Sequence, residues 1–447
     1  MYKLVGRVVG RIFAASCFAF ATLSAVAANT CTWTGAANDG GKWSTPENWQ
    51  NNVAPVSGNG DTLVFVSAAT PLVVSNDMAD ISIGYLHVKT NLDANAVSPV
   101  TIAGEPFVLA GDNDKIRLDC YCATTFDTPI TFDCDLKAKF RATADFKFNG
   151  DITLNGSKTT QLGGGGTGNN TAIKPNVYFY GRIYGPNAQI DAVNEYNNGV
   201  QYYYHYGPVV LRQYDAGVEY RNNHCYFYAD GNDIKTLRVV GYGDAYFKKA
   251  NAFAADNKLV QVSTAYTPSI GGEVHLDSDQ TFAQLTVDAT HGSKRTSVNG
   301  SKTLTLTLTP GEDADLPFWH IQDTVKLRWA PTADCSVTLS TATNGTSGAI
   351  YIDRGALKLG DGVRFANLTR LDLAANTGLE IASGAENCFG TSPKVVVRMY
   401  SSTAVTLNAD VKVKTLFIDG VAQAARSYSA ASGDSWKIPL SPTNETS

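Results

Sequence analysis

The sequence predicts an all-β fold: a parallel β-helix closed at its N-terminal end by a tryptophan-rich cap. Three observations predict it. Pairs of apolar residues at i and i+2 recur along the chain, and that spacing puts both side chains on one face of a strand. The spacers between pairs are rich in Gly, Asn and Asp, the residues of tight turns. The composition, 17% charged with 40 Gly and 16 Pro in 447 residues, suits closely spaced turns better than helices.

Residues 347–381 show the pattern most clearly. Ile350 and Ile352, Leu357 and Leu359, Val363 and Phe365, Leu371 and Leu373, and Leu379 and Ile381 are five successive pairs. Strands this short form no stable sheet alone. They do so when the chain coils and each strand pairs with its counterpart one turn earlier, with a turn of roughly 20–25 residues. Such a fold also suits the length, because every coil adds its own slice of core.

Residues 1–27 read as a signal peptide. Lys3, Arg7 and Arg11 precede an apolar run, and Ala25-Val26-Ala27 offers small residues for cleavage. Residues 28–70 read as the cap and first strands. Trp33, Trp43 and Trp49 lie in a turn-rich span ahead of Thr62-Leu63-Val64-Phe65-Val66. A solenoid needs a lid over its first coil, and Trp supplies the area. The sharper alternative is sugar stacking on exposed indoles.

Residues 71–436 read as the β-helix body. Ile81-Ser82-Ile83, Val100-Thr101-Ile102, Ile130-Thr131-Phe132 and Phe146-Lys147-Phe148 continue the rhythm without helices between strands. One short helical turn is expected over residues 250–258. Near residues 162–230 a Gly/Tyr-rich insertion is expected. It opens with a glycine loop over 162–170 and includes Tyr202-Tyr203-Tyr204-His205-Tyr206. In a strand, either Tyr203 or the pair Tyr202 and Tyr204 must face outward. Residues 437–447 read as a C-terminal tail, with no translocating barrel and no later stretch apolar enough for a membrane helix.

Net charge is −5, and no basic stripe is visible, which excludes a nucleic-acid partner. Once the signal is removed, seven cysteines remain: Cys31, Cys120, Cys122, Cys134, Cys225, Cys335 and Cys388. Cys120, Cys122 and Cys134 cluster without a fourth ligand, so no zinc site is assigned. A disulfide from Cys134 to one of the pair is one reading; burial as small hydrophobes is preferred.

Several segments resemble bacterial proteins with autotransporter-associated β-strand repeats. The run from Trp33 to Phe65 is similar to the opening of such passenger-type proteins. Gly348 to Leu359 is similar to their repeat, and Leu416 to Gln423 to their closing segment. The resemblance implies a right-handed β-helix exported to the cell surface or beyond, with no catalytic residues to transfer.

Acidic groups are the candidates for chemistry. Asp112, Asp114, Lys115, Arg117 and Asp119 cluster, and Asp133/Asp135, Asp277/Asp279 and Asp313/Asp315 are Asp-x-Asp pairs. Solvated turns and outward strand positions explain them as well. The scattered histidines form no H-x-x-x-H pair, and no Gly-x-Ser-x-Gly elbow appears. The expectation is therefore a non-catalytic structural or adhesive protein, without metal or cofactor, that presents loops to a glycan or surface protein. Its expected contact residues are Tyr202, Tyr203, Tyr204, His205, Trp33, Trp43 and Trp49. The alternative is a polysaccharide-binding or polysaccharide-cleaving β-helix.

Overall fold

In the computed structural model, residues 27–428 are described, except for 91–97, 111–115, 135–136, 142–143, 156–158, 164–174, 186–187, 194–200, 212–216, 263–271, 289–296, 308–313, 316–319, 322–324, 340–347, 366 and 424–426. The expected signal peptide, most of the glycine loop and the tail lie outside them. So do Asp112, Asp114, Lys115, Asp135 and Asp313.

The chain is a parallel β-solenoid with three sides. One turn runs through the strands Thr62–Ser67, Leu72–Asn76 and Ile81–Ile83. The next runs through Tyr85–Thr90, Val100–Gly104 and Phe107–Ala110, and each strand pairs in parallel with its counterpart. The first and second sides are 11-stranded sheets; the third begins as a 6-stranded sheet. Helix is confined, among the described residues, to two short 3-10 turns, Pro46–Asn48 and Gln50–Asn52. Residues 250–258 hold turns and a strand start instead of the expected helical turn.

The i, i+2 pairs point inward, as expected. Leu63 stacks on Leu86 and Phe65 on Val88 in register, and all four are fully buried. On the second side Phe126, Phe148, Phe179, His205, Phe227 and Phe247 make one inner aromatic column, with centroids 4.8–6.0 Å apart. Each ring covers the next, so one column removes a continuous stripe of apolar surface from water.

Toward the C-terminus the second side loses its strands after His320–Ile321. The core continues between an 8-stranded and a 5-stranded sheet. Ala349–Ile352, Ala356–Leu359, Arg370–Leu373 and Gly378–Ile381 form as the sequence predicts. Val363 and Phe365 are buried but lie in irregular chain. With Leu368 they complete the core on the side where no ladder runs.

The cap is as expected, and the sugar-stacking alternative for its tryptophans is not met. Trp43 is 0% exposed, Trp49 1% and Trp33 8%. Trp33 meets Trp49 edge to face at 4.9 Å, and all three indoles lie within 5.8 Å of the Phe65 ring. Trp49 Nε1 donates to the Trp43 carbonyl at 2.8 Å. Asp39 ties the loop: it accepts from Thr45 Oγ1 at 2.5 Å and Asn48 Nδ2 at 2.8 Å. Those bonds hold its carboxyl at about 2.

All seven cysteines are buried. Cys120 and Cys122 are thiols, so the disulfide reading to Cys134 is not realised. Burial pushes the thiols of Cys120, Cys122 and Cys225 up, which leaves them inert packing groups.

Candidate functional site

The described part of the tyrosine-rich segment belongs to the ladder; residues 164–174, 194–200 and 212–216 of the expected insertion lie outside the described residues. Tyr178, Tyr202, Tyr203, Tyr204 and Tyr226 sit on regular rungs of the second side, Asn176–Phe179, Tyr202–His205 and His224–Phe227, which Asp244–Phe247 and Glu273–Leu276 continue. Register fixes the faces. Tyr203 pairs with Val177 and Cys225, and His205 with Phe179 and Phe227. Tyr203 and His205 are both 0% exposed, so neither is a contact residue. Tyr203 donates to the Gln201 amide oxygen. His205 Nε2 meets the Tyr220 hydroxyl at 2.5 Å, and burial lowers its ring to about 3.

The outward positions form a second column. Tyr178, Tyr204, Tyr226, Tyr246 and His275 stack in turn at 4.7, 4.8, 4.5 and 4.3 Å, with rings within 12° of parallel. Five rungs at the coil spacing extend about 18 Å along the axis. Beside it Tyr180, Tyr206 and Tyr228 stack at 4.9 and 4.6 Å. These three are 45%, 41% and 36% exposed. Tyr202 and His224 flank the main column on its other edge, 5.2 Å apart.

The corner glycines let these columns form. A Cβ on Gly207 would lie 2.0 Å from the Gly181 carbonyl oxygen, and one on Gly181 2.2 Å from that of Gly150. Larger residues there would wedge the coils apart and unstack Tyr180 from Tyr206.

The geometry decides what this face can do. Ring faces are covered by neighbouring rings, so they offer little platform for stacking a sugar. The half-exposed rings form a comb with the coil period, beside the more exposed Tyr180, Tyr206 and Tyr228. Burial, then neighbouring carboxylate and phenol charge, push Tyr178 and Tyr226 up to about 12. Tyr178 and Tyr226 are therefore neutral at physiological pH, and their hydroxyls can both donate and accept.

Among the carboxylates of the sequence reading, Asp119 pairs with Arg141 at 2.5 Å and Asp277 with Lys248. These are cross-coil ion pairs. A pair that the sequence reading missed lies on the first side. Asp191 and Glu219 are direct register partners. Glu219 is held by Arg221 at 2.6 Å and Arg238 at 2.9 Å. Burial and the Glu219 charge raise Asp191 to about 6. Only the register shows this pair, because 28 residues separate its members.

No helix of the described residues is long and apolar enough to cross a membrane. No family model, curated protein or solved structure matches the chain.

Proposed function

We propose that this chain is an exported, non-catalytic β-solenoid of the structural or adhesive kind, which holds a linear glycan along the aromatic comb of its second side. The observation behind this reading is the comb itself, an outward row of stacked tyrosines on a rigid ladder. A ladder fixes each phenol before a ligand arrives, so little side-chain entropy is lost on binding. Neutral hydroxyls at regular spacing suit a neutral chain of hydroxyls better than a charged polymer. The contact residues become Tyr202, Tyr204, Tyr206, Tyr226 and Tyr228, with the face of the sheet replacing the expected loops.

The test is a glycan array and a polysaccharide pull-down with the mature chain and with Tyr204→Ala/Tyr226→Ala. The expected result is binding that the double variant loses, with unchanged circular dichroism. A control at Tyr400, exposed on another coil, keeps binding. Equal binding by the double variant refutes the assignment. The polysaccharide-cleaving alternative has its own observation, Asp191 beside Glu219. Release of reducing ends that Asp191→Asn abolishes would favour it.

A further inference from the structure

We propose that Asp244, Glu273 and His275 form a binding site for one divalent transition metal of the zinc class. The site does not rest on the glycan reading, although His275 is the last ring of the same outward column.

The three groups come from adjacent coils of the outward second side. Asp244 and Glu273 are direct register partners, and His275 is the partner of Tyr246. One ligand atom from each lies within 4.8 Å of the other two. Two ligands bound at about 2.0–2.2 Å to one ion lie roughly 3–4 Å apart, so a slight inward movement closes the site. His275 Nε2 stands 3.7 Å from Glu273 Oε2. That is too long for a hydrogen bond and suits two ligands around one centre. His275 Nε2 is shielded from solvent and makes no hydrogen bond.

Outer groups already orient the ligands. The His275 ring is clamped by Tyr246, stacked at 4.3 Å and 7°. Asn299, on the strand Ser297–Gly300, donates to Glu273 Oε2 at 3.1 Å. The Tyr246 hydroxyl reaches Asp244 Oδ2 at 3.4 Å, and His224 Nδ1 lies 2.8 Å from the same oxygen without a hydrogen bond. Such partners fix ligand orientation before the ion arrives. The nearby Lys248 ammonium is engaged by Asp277.

The donor set selects the metal. One imidazole and two carboxylates suit zinc, nickel or cobalt. Calcium wants six to eight oxygens, more than this face supplies. Three protein ligands leave a position open to water, on the exposed side beside the tyrosine comb. Sequence spacing could not reveal the site, since only Glu273-x-His275 is local.

The mature chain, stripped by chelator, is titrated with Zn²⁺ and separately with Ca²⁺ by calorimetry. The expected result is one Zn²⁺ per chain and no Ca²⁺ at equal concentration. His275→Ala and Glu273→Gln should each weaken Zn²⁺ by about tenfold or more, and His87→Ala, on another side, should not. The isosteric Asp244→Asn gives the same readout should His275→Ala disturb the fold. Co²⁺ in place of Zn²⁺ should give an absorption spectrum without thiolate charge transfer, which separates this site from the cysteines. Absence of Zn²⁺ binding, undiminished binding by Asp244→Asn and Glu273→Gln, or a thiolate band would overturn the proposal.

Discussion

Acid should loosen the middle of the solenoid through His205. Its ring is one rung of the inner phenylalanine column, stacked at 5.0 Å on Phe179 and at 5.0 Å on Phe227. Burial lowers it from 6.5 to about 3. Between those values the unfolded chain binds a proton that the folded chain refuses. Stability is therefore full above pH 6.5 and falls as pH drops toward 3. From pH 7 to pH 4 the loss is about 3 kcal/mol. His205→Phe restores an unbroken phenylalanine column and removes the proton site. It also leaves the Tyr220 hydroxyl without its 2.5 Å partner, at a cost of about 1–3 kcal/mol. The better variant is His205→Phe/Tyr220→Phe. The assay is hydrogen exchange of the Tyr202–His205 and His224–Phe227 amides across that pH range, with intrinsic rates divided out. Wild type should lose protection on acidification, and the double variant should keep about 3 kcal/mol more at pH 4. Parallel losses in the two proteins would refute the reasoning.

Two other outcomes follow from the same geometry. Trp43→Ala empties the fully buried centre of the cap and should cost about 3–5 kcal/mol, seen as early exchange in the strands Thr62–Ser67 and Leu72–Asn76; unchanged exchange there would contradict the cap. Asp191 is raised to about 6, so the folded chain holds its proton more tightly and stability falls as pH rises from about 3.8 through 6. Asp191→Asn should flatten that fall in a melting series between pH 4 and pH 7, and an unaltered slope would remove Glu219 and burial as the cause.

Much of the fold was legible because strand pairs have a local period. Leu371 and Leu373 announce an inward face whatever their partners are, and both are buried. The cap was legible for a similar reason: three large indoles in a turn-rich span have few places to go but over the first coil. Val363 and Phe365 show the limit. Their spacing is that of a strand, and their burial was foreseeable, but backbone pairing depends on a neighbour one coil away. The glycine loop and the tyrosines suggested an insertion, whereas Tyr178 and Tyr204 are ordinary rungs whose side chains happen to be aromatic.

By itself the sequence determined alternation: among Tyr202, Tyr203 and Tyr204, consecutive residues had to face opposite ways. It could not determine which way, because tyrosine tolerates both core and solvent. The tertiary structure decided it through register. Tyr203 stacks between Val177 and Cys225 and is drawn inside, while Tyr204 joins Tyr178 and Tyr226 outside. The same stacking brought Asp244 to Glu273 and His275, and Asp191 to Glu219. These contacts span 20 to 31 residues through turns of variable length: His224 meets Asp244 after 20 residues, and Asp244 meets Glu273 after 29. A loop can lengthen without disturbing the ladder, so spacing along the chain does not encode which outward residues become neighbours.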